Sequence, residues 1–394
     1  MADYARKLVC LQIHNDYQVA GGETKTAQLI AGLLEENGIK VIRYYKSNKD
    51  FLNAGMFKKL GIGLRSLGNR QAAQEIEQIL ERESVDFALI HNVLPLISNS
   101  AYKVLAKRKI PIIKYLQNYN LLCQNGALDQ GDACRRCMKN PMTGVKKACY
   151  KNSKIYTLLR TLIKRDLDKH CLDKISAFMP NSEFVMRRHC ACGIKQEKMH
   201  VMYNFIEGEP CQVSGTPERT GYLYFGRISR EKGIMTAVRA FEALPGLKLD
   251  IIGSGETQED LKQYLKERTI PNIQYLGPKY KDELNRNIFH AKCVIVPSEW
   301  DEPLPRTILE AYLQGTPVIG TNRGGIPEMI IPGKTGFLYE SGNIDNLISQ
   351  IQRMEDLSPA DYLHMRRNCH EEISRVFSKQ KYFERFMLCV KEIM

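Results

Sequence analysis

Short runs of uninterrupted apolar residues alternate along the chain with longer stretches whose apolar positions recur three or four apart. Residues 8–13 are the first such run and read as a buried strand. After a Gly21-Gly22 loop, residues 24–36 place Ala27, Ile30, Ala31, Leu33 and Leu34 on one helical face, and Asn37-Gly38 ends the helix. Residues 41–45 read as the next strand, followed by helix 70–82, strand 87–90, helix 100–107 and strand 110–116. This rhythm predicts a parallel, doubly wound α/β sheet whose ligands gather beyond the carboxyl ends of its strands. His91-Asn92 and Gln117-Asn118 stand at two such ends.

Residues 121–150 interrupt the pattern; they are rich in Gly, Cys and Lys, follow no period, and read as an insertion. Helical spacing returns over 155–173, with strands expected at 177–180 and 201–203. Residues 204–217 are polar and carry Gly and Pro, as a linker does. A second α/β series then begins, with strands at 222–225, 248–252, 273–276, 293–297 and 317–320 and helices at 235–243, 259–268, 281–290 and 305–314. Residues 343–354 and 359–394 read as helical. The expected division is a first domain over 1–204, a linker over 205–217, a second domain over 218–375, and a terminal helix over 376–394 that returns to the first domain.

Composition narrows this little. The chain has 394 residues, 43% hydrophobic and 26% charged, as soluble globular proteins do. Residues 1–7 are polar and the run after them is too short for a signal h-region, and no stretch approaches the roughly 20 apolar residues of a membrane span. The expectation is a cytoplasmic protein. A net charge of +13 favours an anionic partner, whether a nucleotide, a nucleic acid or an acidic membrane surface. No nucleic-acid recognition motif accompanies that charge, so nucleic acid is set aside.

The candidate chemistry lies mostly in the second series. Gly226-Arg227 follows a strand, and Lys232-Gly233 precedes a helix. Two cations on a strand-to-helix loop suit a pyrophosphate, because the helix N-terminus adds a positive dipole end. Glu302 and Glu310 bracket a helix start, with Arg306 and Thr307 between them. Carboxylates suit hydroxyl-rich ligands, though surface ion pairs explain single members of the set equally well. Taken in order with Ala311–Gly320, Gly324-Gly325-Ile326-Pro327-Glu328 and Gly333–Leu338, these segments resemble the C-terminal half of family 4 glycosyltransferases. The resemblance is close over about 220–340 and looser in the first half, through Gly21-Gly22 and His91-Asn92.

That resemblance implies the GT-B fold: two Rossmann-like domains facing across a cleft, with a nucleotide-sugar donor (a UDP-, GDP- or dTDP-sugar) and a glycan or lipid-linked acceptor. It implies retaining, metal-independent transfer, in which Arg227 and Lys232 neutralise the leaving diphosphate. Glu310 would accept from the ribose hydroxyls and Glu302 from the transferred sugar. The backbone at Gly21, Gly22 and Gly226 and the amides near Thr307 would approach donor phosphate or sugar. The segment 114–123 departs from the family, which usually carries His where Gln117 stands. Gln hydrogen-bonds but does not titrate. His91, on the neighbouring strand end, either compensates or is an ordinary half-buried histidine. Two other readings remain open, a GT-B sugar-nucleotide epimerase and a degenerate transferase that binds without catalysis.

Two features stand apart from the donor motifs. Cys123, Cys134, Cys137 and Cys149 lie in the insertion, and four thiolates at these spacings suit a structural Zn²⁺; reduced, uncoordinated cysteines are the alternative. Residues 146–170 interleave Lys and Arg with Ile155, Leu158, Leu159, Leu162, Ile163 and Leu167, and residues 55–70 show a similar mixture. Such segments either lie on an anionic membrane surface, peripheral to the inner face of the cell membrane, or pack their apolar stripe on the first domain.

Overall fold

The computed structural model describes residues 7–16, 22–48, 65–126, 128, 137, 140–211 and 219–394. The chain divides into two compact units, residues 1–202 with 383–394, and residues 203–382. In the first, β1 (Val9–Asp16), α1 (Gly22–Glu36), β2 (Lys40–Ser47), α2 (Arg70–Arg82), β3 (Phe87–Ile90), α3 (Ser100–Lys107), β4 (Ile112–Leu116), α4 (Lys154–His170), β5 (Ala177–Pro180) and α5 (Glu183–Cys190) follow in order. Every strand pairing is parallel, in the order β2-β1-β3-β4-β5. All of β3, β4 and β5 is buried, as strands covered on both faces must be. Each buried Leu, Ile or Phe there contributes roughly 1.5–3 kcal/mol relative to exposure. Helix starts are capped by short polar side chains: Asn69 accepts from Ala72, Ser153 from Tyr156 and Ser182 from Val185.

The second unit runs β6 (Tyr222–Phe225), α6 (Ile234–Glu242), β7 (Leu249–Ile252), α7 (Gln258–Arg268), β8 (Ile273–Gly277), α8 (Lys281–His290), β9 (Cys293–Val296), α9 (Arg306–Leu313), β10 (Val318–Thr321), β11 (Gly336–Tyr339), α10 (Ile344–Glu355) and α11 (Pro359–Val376). The strand order is β11-β10-β9-β6-β7-β8, again parallel throughout. A last helix, α12 (Lys379–Ile393), begins in the second unit and ends in the first. In the first unit Phe386 packs against Phe87, ring centroids 5.9 Å apart; in the second, Tyr382 packs against Phe205 at 4.9 Å.

Several elements differ from expectation; α5, for one, was not expected. Residues 201–203 form no strand; Met202 donates to Pro180 O at 2.7 Å and His200 to Phe178 O at 2.9 Å, which ties the segment to β5 without a ladder. β11 was not expected, because its short run lies among glycines. The helix expected over 359–394 is two helices, parted at Phe377-Ser378, where the Phe377 ring lies 5.9 Å from that of Tyr203. The basic segment 55–70 lies largely outside the described residues, as do Gly21 and Cys134. Among the described residues, no helix is long and apolar enough to cross a membrane.

Candidate active site

Strand order locates the functional end of each sheet. In the second unit successive strands run outward from β6 through β7 and β8, then restart on the other side at β9. Ligands of open α/β sheets settle at such reversals, beyond the carboxyl ends of the two central strands. Gly226-Arg227 follows β6, and Ser298–Glu302 follows β9, so the segments that looked related in sequence meet at this switch point.

Close backbone contact holds them there. Gly233 has φ 67°, and a Cβ on it would lie 1.9 Å from Pro297 O; only glycine lets the Lys232 turn press on the segment after β9. Gly324 has φ 64°, and its Cβ would lie 2.3 Å from Glu302 O, while Gly325 N donates to that same oxygen at 2.7 Å. The Gly-Gly pair therefore clamps the backbone of Glu302.

Lys232 Nζ lies 2.5 Å from Glu302 Oε1, and the two side chains are 24% and 5% exposed. Ser298 Oγ donates to the same oxygen. Glu302 is thus a buried carboxylate held by a half-buried ammonium, which itself sits 5.9 Å from the Trp300 ring. Arg227 reaches outward, 61% exposed, and pairs with Glu231 at 2.7 Å; its carbonyl accepts from the Tyr224 hydroxyl at 2.7 Å. Thr307 stands in the first turn of α9, and a Cβ on Gly226 would lie 3.9 Å from its methyl. Arg306 donates to Phe205 O at 3.4 Å, and half-buried Glu310 lies one turn on. At its far end α9 is anchored by Arg219, which donates to Gln314 O at 2.8 Å and Gly315 O at 3.2 Å.

The first unit reverses between β1 and β3, and there the polar groups are internal. Asn92 Nδ2 donates to Asn15 O at 2.8 Å, Asn15 N donates to Asn92 O at 2.8 Å, and Asn15 Oδ1 accepts from Leu96 N at 2.7 Å. His91 is wholly buried. Tyr45 donates to Gln12 Oε1 at 2.7 Å, which orients that amide, and Gln12 Nε2 meets His91 Nε2 at 3.0 Å. His91 Nε2 must then accept, leaving its proton on Nδ1. Burial, with His14 and Lys114 nearby, pushes its pKa well below the usual range. His14, which sequence reasoning passed over, is buried beside Thr24 and Asp16 at 3.0 and 3.2 Å, and burial lowers it to about 4. Its position near the end of β1 was the available signal. Gln117 is half-buried, and its Nε2 meets no hydrogen-bond partner among the described residues. Gly22 begins α1, where its carbonyl accepts from Thr26 at 2.8 Å.

The cysteines of the insertion are only partly described. Cys123 Sγ donates to Asn125 Oδ1 at 3.0 Å, Cys137 is buried, and Cys149 is half-buried. Among the described residues, no three His, Cys, Asp or Glu side chains are grouped to hold a metal ion.

The segments that converge at β6 and β9 also carry the sequence relationship. Residues 213–374 match the family of glycosyl transferases group 1. The sulfoquinovosyl transferase of Arabidopsis thaliana is 30% identical over 166 residues, which is 41% of this chain and 32% of that protein. The lipopolysaccharide 1,2-N-acetylglucosaminetransferase of Salmonella typhimurium is 34% identical over 157 residues, 36% of this chain and 41% of that protein. This chain thus spans well under two thirds of these relatives' own length. The crystal structure of Anabaena HepE in complex with UDP and glucose aligns over 98% of this chain and 100% of that one, with TM-score 0.67 and 17% identity. The fold class is GT-B, built from two Rossmann-like parallel-sheet domains.

Proposed function

We propose that the chain is a retaining glycosyltransferase of the family 4 kind. It moves a sugar from a nucleoside-diphosphate donor to a glycan or lipid-linked acceptor in surface polysaccharide or glycolipid synthesis. The observation that carries this reading is the gathering of Arg227, Lys232 and Glu302 at the β6/β9 switch point, within the stretch matched by group 1 glycosyl transferases. Arg227 and Lys232 bring two positive charges to the place where a diphosphate leaves, and preorganised charge there is a sufficient catalytic device without a divalent metal. Glu302 receives hydroxyls of the transferred sugar, and Glu310, one turn into α9, receives the ribose. The bond from the anomeric carbon to the donor phosphate breaks on the face where the acceptor oxygen bonds, and the leaving phosphate oxygen takes the acceptor's proton. HepE was solved with UDP, which makes UDP-sugars the first donors to test.

A lipid-linked acceptor at the inner face of the cell membrane is supported by α4. Thr157, Thr161, Ile163 and Leu167 are its buried side. Met142, Ile155, Tyr156, Leu158 and Leu162 are five of the eight large apolar side chains exposed among the described residues, and Lys151, Lys154 and Arg165 are exposed beside them. An apolar strip flanked by cations matches an anionic lipid surface.

The deciding experiment is thermal stabilisation by UDP-, GDP-, dTDP- and CMP-sugars of the wild type and Glu310→Ala, followed by turnover of the stabilising donor. A donor that stabilises only the wild type and is consumed by transfer supports the reading. Epimerised donor as the product would make the protein an epimerase. Absence of stabilisation by every donor would leave a degenerate, non-catalytic transferase.

A further inference from the structure

The first unit has its own recess, a cavity of about 50 Å³, room for a carboxylate or phosphate group with the rest of its molecule outside. Its polar lining includes Glu23 of α1, Lys114 within β4, Asn92 and Asn118 beyond the ends of β3 and β4, Gln124, and Arg160 and Lys164 of α4. Most of the other polar groups are committed, buried Gln124 Oε1 excepted. Asn118 donates to Glu23 at 3.0 Å, Arg160 donates to Gln124 O at 3.0 Å and Asn120 Oδ1 at 2.7 Å, and Lys164 pairs with Asp168 at 2.7 Å. Lys114 differs. It is 8% exposed, and its ammonium donates to the His91 carbonyl; among the described residues that is its one hydrogen bond and no ion pair joins it to a carboxylate, the charge acting on it being that of Glu23, whose carboxylate also accepts from Asn118.

A buried ammonium with no carboxylate in direct contact is costly. It either gives up its proton or is matched by an anion that enters the site. Burial lowers the Lys114 pKa to about 8, which leaves it mostly charged at neutral pH. We propose that this recess binds the anionic group of the acceptor, a carboxylate or phosphate on a sugar-sized molecule, with Lys114 as its counter-ion. The inference rests on the glycosyltransferase reading and adds the acceptor's chemical class.

The charged and titratable groups around Lys114 are Glu23 from α1, His14 from β1, His91 after β3, His189 from α5, and Arg160 and Lys164 from α4. Burial holds His14 and His189 near 4 and His91 well below the usual histidine range, so all three are neutral at pH 7. Between pH 7 and 9 the charge that changes is that of Lys114, and anion affinity falls about ten-fold over that interval.

The test is calorimetric titration of the full chain with sodium glucuronate and with glycerol 3-phosphate, using glucose as the neutral control. Wild type is expected to bind at least one of the two anions and to bind glucose more weakly; the better anion identifies carboxylate or phosphate. Lys114→Met keeps the buried stem and is expected to weaken binding about ten-fold or more. Glu23→Gln removes the nearest competing carboxylate and is expected to tighten it, an arm that stands even if Lys114→Met fails to fold. Arg227→Ala is expected to leave anion binding unchanged. Equal anion binding by wild type and Lys114→Met, loss of binding in Arg227→Ala, no fall between pH 7 and 9, or no anion binding by wild type would each overturn the proposal. UDP stabilisation is scored separately: its absence in wild type sinks the transferase reading, and its retention in Lys114→Met places the anion away from the donor.

Discussion

The two units share a parallel, doubly wound plan yet treat their switch points in opposite ways. After β6 and β9 the cations stay accessible: Arg227 is 61% exposed, and Lys232 is 24% exposed against a carboxylate that is 5% exposed. After β1 and β3, polar groups are drawn inside and spent on one another, as Asn15, Asn92, Gln12 and His91 show. A diphosphate needs cations that are positioned but not neutralised by burial. At the β1/β3 reversal the polar side chains are instead spent on holding the backbone. On the proposed function, the same topology thus yields a donor end in the second unit and a stitched β1/β3 end in the first.

Four substitutions or conditions test that contrast, beginning with the largest expected effect. Lys232→Ala should lower sugar transfer by about 100-fold or more, as loss of one charge-stabilising donor does. It also strands Glu302 in the interior and should cost roughly 3 kcal/mol of folding stability. Turnover close to wild type in a folded Lys232→Ala protein would remove the β6 end from the mechanism.

The second test concerns pH and the first unit. His14 binds a proton more weakly folded, near 4, than unfolded, near 6.5. The stability this contributes is present above pH 6.5 and is lost as pH falls from 6.5 towards 4, to the extent of roughly 3 kcal/mol. Urea unfolding at pH 7 and 4.5 should show that loss, and it should shrink in His14→Gln. Part of it should remain, because buried His189 also sits near 4.

Asn92→Ala comes third. It deletes the donors to Asn15 O and Leu94 O, each at 2.8 Å, and the acceptor for Leu94 N at 3.1 Å. A loss of about 2 kcal/mol is expected, with UDP binding retained. If UDP binding vanished while the fold persisted, the first unit's sheet end would be part of the donor site rather than a structural stitch.

The smallest effect on folding belongs to α4. Replacing Ile155, Leu158 and Leu162 together by Ser should change stability by less than about 1.5 kcal/mol, about 0.5 for each, since these side chains are 68%, 39% and 41% exposed. Flotation with vesicles containing phosphatidylglycerol should nevertheless be lost. Wild type that never floats with such vesicles would return α4 to an ordinary solvated helix.

The order and type of most elements were legible because local patterning is strong here. Ala27, Ile30, Ala31 and Leu34 are buried at 0%, as their spacing required. Elements whose identity depends on a distant partner were less legible. β11 exists because Gly336–Tyr339 pairs with Val318–Thr321, a fact no local run encodes. Residues 201–203 have a strand's composition but hold β5 through single hydrogen bonds. In the candidate site, Arg227, Lys232 and Glu302 were visible through their motif order. His14 and Lys114 were not, because a strand-end histidine and a lysine within an apolar run signal nothing until burial is known.

By itself, the sequence determined two α/β series, their rough limits and the cluster of residues suited to a diphosphate, because periodicity and glycine chemistry act over a few residues at a time. Tertiary structure decided which strands are central, and hence which loops meet. It also decided which polar groups remain charged. Lys232 and Lys114 are the same side chain in sequence; one stands 2.5 Å from a carboxylate, and the other is buried against a carbonyl with, among the described residues, no carboxylate in direct contact. Desolvation is a property of everything packed around a group, and that is assembled from residues distant along the chain.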